Sequence, residues 1–177
     1  MTTASKITML RILLIPAFMI TALLEFQLAA LTIFVLASLT DWIDGYIARK
    51  YDQITNFGKF MDPLADKLLV LAAMLLFVQW GRMGAWMLMV VLAREFAVSG
   101  MRMMAAANGK VIAAGWSGKV KTIVTMLGII LMLTAFHDFE LFAGITVDTV
   151  SAWAILLATV YSGAEYLGKN YRVFLEE

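Results

Sequence analysis

Four aspartates, Asp41, Asp44, Asp62 and Asp66, interrupt a chain that is otherwise strongly apolar. At about 100° per residue, Asp41 and Asp44 fall about 60° apart on one helix face, and Asp62 and Asp66, at i and i+4, share a face of the next helix. The polar connection Tyr51-Asp52-Gln53-Ile54-Thr55-Asn56-Phe57 lies between the two pairs, so both are expected at one end of an antiparallel helix pair. Carboxylates with no histidine or thiolate nearby suit hard, oxygen-seeking ions such as Mg²⁺, Mn²⁺ or Ca²⁺. At membrane depth an isolated carboxylate costs about 2.5–3.5 kcal/mol on insertion scales, so four together call for cations, partners or water. A solvated helix end would account for any one of them, and Asp62 before Pro63 also fits an N-cap with proline at the first helical position. Neither accounts for all four at helical spacing. Gly45 and Ala48 sit beside the first pair, and Gly58 precedes the second by four positions. Small side chains there let a ligand approach the backbone, or let two membrane helices pack closely.

The elements that carry these residues follow from composition. The chain has 177 residues, 62% hydrophobic and 15% charged, whereas a soluble domain is about half apolar and about a quarter charged. An integral membrane protein is expected, and a disordered chain is excluded. Crossing about 30 Å of hydrocarbon takes roughly 20 helical residues, and six segments qualify, near 8–24, 28–50, 59–80, 84–107, 117–136 and 146–167. The expectation is an all-α, polytopic protein of six transmembrane helices forming one membrane-embedded catalytic domain over 1–177. Lys6 and Arg11 before an apolar run resemble a signal peptide, but an equally apolar helix follows at once and Glu25-Phe26-Gln27 reads as a tight turn. With both termini in the cytoplasm, every Lys and Arg except Arg82 falls on the cytosolic side, as the positive-inside rule requires; a bacterial plasma membrane is the expected location.

Other classes find little support. Lys and Arg number 14 against 13 Asp and Glu, so no overall basic field exists for nucleic acid. There is no cysteine, and a single histidine, His137, beside Asp138; it is read as an exposed loop residue rather than a metal ligand. The 13 methionines read as packing and lipid contact. Trp80, Trp86, Trp116 and Trp153 read as interfacial anchors.

Read continuously, residues 41–66 fit D-x2-D-G-x2-A-R-x8-G-x3-D-x3-D, with Asp41, Asp44, Gly45, Ala48, Arg49, Gly58, Asp62 and Asp66 at every fixed position. This resembles the signature of the CDP-alcohol phosphatidyltransferase family. The segments Ile7–Pro16 (with Thr8), Arg94–Arg102 and Ser117–Thr122 also look like those of bacterial phosphatidylglycerophosphate synthases, so the likeness covers essentially the whole chain. One departure is Ala4-Ser5, where the family often has Pro-Asn. The resemblance implies a homodimer of six-helix protomers with a site open to the cytosol. It implies two divalent cations, Mg²⁺ or Mn²⁺, on Asp41, Asp44, Asp62 and Asp66, with Asp66 also the base. CDP-diacylglycerol would be held near Thr8, Gly45, Ala48, Arg49 and Gly58, and sn-glycerol 3-phosphate would be the acceptor.

An acceptor with its own phosphate needs a cationic pocket, for which Arg94, Arg102, Lys119 and Lys121 are the candidates. Positive-inside topology with side chains snorkelling to lipid head groups is the plainer account of the same four. Arg94 is the least easily explained that way, being deeper in its segment and next to Glu95. The aspartates do not separate glycerol 3-phosphate from serine, inositol phosphate or phosphatidylglycerol as acceptor. A divalent-cation transporter would also place carboxylates among helices, but segments two and three carry no acid near their outer ends. A polyprenyl transferase would not need the spacing of Gly45, Ala48 and Arg49.

Overall fold

The structure is a computed structural model that describes the backbone of residues 3–50, 56–107, 109, 112, 115–134, 136–142 and 144–171, with side chains described for 9–40 and from 64 onward except 142. Six helices carry the chain: α1 (Thr3–Leu23), α2 (Gln27–Lys50), α3 (Asn56–Gln79), α4 (Ala85–Ala107), α5 (Trp116–Leu133) and α6 (Val147–Asn170). Each coincides with one of the six apolar segments. The ends are set by local chemistry. After α1, Glu25 takes a left-handed conformation (φ +62°) while the Phe26 amide donates to the Thr21 carbonyl at 3.0 Å, closing the tight turn expected there. Gly81 (φ +72°) ends α3 in the same way, with the Arg82 amide donating to Phe77 O at 2.8 Å. Thr146 caps α6, its hydroxyl accepting from the Thr149 amide at 3.3 Å.

One feature departs from an all-helical reading. Between α5 and α6, β1 (Glu140–Phe142) and β2 (Ile145–Thr146) pair antiparallel, Glu140 opposite Thr146 and Phe142 opposite Ile145. The segment is too short to show a strand period, so it reads from sequence only as a helix break.

The most extensive pairings are α1 with α2 and α5 with α6, followed by α1 with α3 and α4 with α6. Among the described residues α1 packs against both α2 and α3, the helices that carry the aspartates. The main core draws on all six helices: Phe18, Phe34, Phe77, Val91, Ile129 and Ile155 are fully or almost fully buried in it, with Phe18 and Phe34 at 5.7 Å between ring centroids. The α1–α2, α3–α4 and α5–α6 connections meet at one end, where Glu25, Arg82 and His137 line a common cavity. Successive helices therefore alternate in direction.

Helices α5 and α6 are each long and apolar enough to cross a bilayer, and Met9–Leu23 and Gln27–Thr40 form shorter apolar runs. Among the described residues two helices thus have this length and apolarity against the six expected; α4 falls short because Arg94, Glu95 and Arg102 lie along it. Large apolar side chains also cover the outside, among them Leu28, Phe96, Met103 and Trp116. An exterior of this kind suits lipid contact. Met74, Met87 and Met132 are buried while Met89 and Met103 face outward, which is the packing and lipid-facing mixture expected of them. Trp86 and Trp153 are exposed and meet edge-to-face at 5.9 Å, whereas Trp80 is engaged within the protein by Phe77 and by the Arg82 guanidinium, 4.8 Å above its ring.

Candidate active site

α2 is unbroken helix through Asp41 and Asp44, and α3 through Asp62 and Asp66. The spacings read from the sequence are thus helical spacings in the fold, and each acidic pair shares one face of its helix. The side chains of Thr8, Asp41, Asp44, Gly45, Ala48, Arg49, Gly58 and Asp62 lie outside the described residues. Asp66 is half-buried, and the neighbouring Lys67 donates to Ser99 Oγ, tying this part of α3 to α4. As a donor set, carboxylates alone on two adjoining helices fit a hard divalent cation.

Arg11 of α1 is a basic residue whose place the sequence did not disclose. It is fully buried, and its Nε points to Thr40 Oγ1 at 3.5 Å, one residue before Asp41. From the sequence it reads as one more cytosolic positive charge. The signal that distinguishes it from Lys6 is its place inside the first apolar segment, 8–24, rather than ahead of it.

The four candidate acceptor-binding residues separate into distinct settings. Arg94 and Lys121 are brought together, donating to the same Glu95 Oε1 from 2.9 Å and 2.6 Å, with side chains 13% and 9% exposed. Two cations against one carboxylate leave a net charge of +1. Arg94 also donates from Nη2 to Ser162 Oγ of α6 at 2.6 Å, and its buried Nε has no hydrogen-bond partner among the described residues. Gly163 makes room for this side chain, since a Cβ there would lie 2.9 Å from Arg94 Cγ. Arg102 is exposed and donates to Tyr166 Oη at 3.2 Å, its guanidinium over the ring at 5.4 Å. Lys119 is exposed, 5.9 Å from the Trp116 ring. Glu95 and Ser162 thus hold this cationic pair in place. Glu95 is legible beside Arg94 in sequence, but Lys121 reaches Glu95, and Ser162 reaches Arg94, only through the packing of α4 with α5 and α6.

His137 corrects an expectation. Its side chain is 12% exposed, held among Asp138, Asp148 and Arg82 rather than in solvent. The cluster lies at the end of α3 away from Asp66; the 13 residues from Asp66 to Gln79 span roughly 20 Å of helix.

A helical membrane protein with paired acidic helices and a buried cationic pair is the class that these features define. The profile of the CDP-alcohol phosphatidyltransferase family matches residues 1–162, and the chain belongs to that family. The chain is similar to the CDP-diacylglycerol–glycerol-3-phosphate 3-phosphatidyltransferase of Bacillus subtilis (strain 168), 44% identical over 94% of each chain. The proteins of the same name from Haemophilus influenzae and Escherichia coli (strain K12) are 35% and 36% identical, covering 91% of this chain and 89% and 90% of their own. Members of the family generally depend on a divalent metal.

Proposed function

We propose that this chain transfers the phosphatidyl group of CDP-diacylglycerol to sn-glycerol 3-phosphate, giving phosphatidylglycerophosphate and CMP. The observation that carries the reading is the complete acidic signature, borne on two continuous helices, in a chain whose relatives share that activity's name. Asp41, Asp44, Asp62 and Asp66 would hold two divalent cations, Mg²⁺ or Mn²⁺. When bound, these would neutralise charge on the pyrophosphate and on departing CMP. Gly45, Ala48 and Gly58 offer a close approach for the donor, with Arg49 and Thr8 as polar contacts. Asp66 takes the proton of the acceptor hydroxyl. The resulting oxygen forms its bond to the phosphorus that carries diacylglycerol as the bond from that phosphorus to CMP breaks. The acceptor's phosphate is gripped by Arg94 and Lys121, with Arg102 and Lys119 at the approach; the pair's surplus positive charge and an Arg94 Nε with no partner among the described residues support that role.

The same reading makes residues 1–177 a single catalytic domain of six membrane spans, its termini and site cytoplasmic, working as a homodimer among membrane lipids. The test is CMP release by the purified protein with CDP-diacylglycerol and Mg²⁺ or Mn²⁺, offering glycerol 3-phosphate, serine, inositol phosphate and phosphatidylglycerol separately. Turnover is expected with glycerol 3-phosphate alone, and none in chelator. Preference for another acceptor would overturn the assignment of substrate, and full turnover in metal-free buffer would overturn the role of the aspartates.

A further inference from the structure

At the end of the bundle away from Asp66, a cavity of about 500 Å³ opens between the α1–α2, α3–α4 and α5–α6 connections, lined among others by Glu25, Arg82, His137, Asp138 and Asp148. Three of these residues turn ligand atoms toward one another. His137 Nδ1 lies 2.8 Å from Asp138 Oδ1 and 3.4 Å from Asp148 Oδ2, and one atom from each residue lies within 4.8 Å of the others. Asp148 is 6% exposed and its Oδ1 has no hydrogen-bond partner among the described residues. A buried carboxylate oxygen left unmatched is costly, and this one belongs to a residue that lines an open cavity.

Arg82 supplies part of the compensation, its Nε 3.7 Å from Asp148 Oδ2. Its Nη2 lies 3.1 Å from His137 Nε2. A guanidinium only donates, so Nε2 must accept and the ring carries its proton on Nδ1, between the two carboxylates. A buried ring nitrogen with two carboxylate oxygens within 3.4 Å, and no hydrogen bond of its own among the described residues, is a place that a metal ion can take from a proton.

We propose that His137, Asp138 and Asp148 form a second divalent-cation site, separate from the four-aspartate set. One imidazole nitrogen with carboxylate oxygens favours a borderline ion such as Zn²⁺ over Mg²⁺. On binding, the ring's single proton moves from Nδ1 to Nε2 by exchange with solvent, no net proton is released, and the freed Nδ1 lone pair goes to the ion. The neutral ring then keeps its proton on Nε2, and Arg82 gives up that nitrogen. Arg82 retains its other anchors, the Met132 carbonyl at 2.9 Å and the face of Trp80. His137 and Asp138 precede the hairpin and Asp148 opens α6, so a bound ion would clip the two ends of the α5–α6 connection together, with remaining positions open to the cavity. The site does not depend on the transferase reading.

Zn²⁺ uptake by the purified protein tests this, measured calorimetrically in saturating Mg²⁺ and in an Asp62→Asn, Asp66→Asn background that disables the oxygen-only set. One Zn²⁺ per chain is expected, with affinity falling at least tenfold in His137→Gln and in Asp138→Asn. Asp138 is 83% exposed at its side chain, so its variant keeps the test open should the His137 variant fail to fold. Co²⁺ should give a visible band that His137→Gln abolishes. No uptake above Mg²⁺, or uptake unchanged in both variants, would overturn the site and leave an Arg82-centred ion-pair cluster.

Discussion

Glu95 holds two cations at once, and this makes its substitution informative. In Glu95→Gln the carboxylate is gone and Arg94 and Lys121 face each other uncompensated. Breaking a buried pair costs about 3–5 kcal/mol, and with Glu95 21% exposed the lower end is expected, read as a drop in Tm in detergent. The acceptor should respond in the opposite sense, because the cation pair no longer shares its charge with Glu95: KM for glycerol 3-phosphate should fall. Arg94→Gln removes a charge-assisted contact of roughly 1.5–3 kcal/mol, or about 10- to 150-fold in binding, so that KM should rise while donor KM changes little. Equal shifts for both substrates would mark the network as structural. The helical spacing of the acids and the pairing of Arg94 with Glu95 were legible because both are local in the sequence. The Lys121–Glu95 bond and the buried setting of His137 were not, because each joins residues from elements that only the packed bundle brings together. For His137 a signal did exist: a His-Asp pair on the same end as Arg82, the one basic residue expected there.

At the scale of elements, the six helices were legible to within a few residues because each apolar run is bounded by turn-forming or polar residues, as at Glu25 and Gly81. The hairpin before α6 was not, since two- and three-residue strands carry no period to read. Gly81 adopts φ +72° with nothing within 4 Å of the position a Cβ would take. Gly81→Ala is therefore resisted by backbone conformation alone, at about 1–2 kcal/mol, and should lower Tm without altering either KM. Gly163→Ala makes the contrasting case. Its new Cβ would press on Arg94 Cγ, so it should raise KM for glycerol 3-phosphate more than for CDP-diacylglycerol. An equal effect of both glycine substitutions on acceptor KM would mean that Gly163 acts only through stability.

The whole molecule has two chemically different ends. One gathers Glu25, Arg82 and His137, whose connections meet there; α3 and α4, running from it, carry Asp66 and Arg94 toward the other. If all six helices cross the bilayer with the basic residues inside, these ends face opposite compartments. The absence of cysteine makes this directly measurable, since a single introduced thiol is the only one a reagent can find. Glu140→Cys, on the exposed hairpin, and Lys169→Cys, whose native side chain is 71% exposed near the end of α6, lie at opposite ends of α6 and away from the proposed catalytic residues. In intact bacterial cells a membrane-impermeant maleimide should label Glu140→Cys and spare Lys169→Cys until the cells are permeabilised. Labelling of both in intact cells would place the two ends on one side and refute the crossing of α6, while the reverse pattern would keep the spans and invert their orientation.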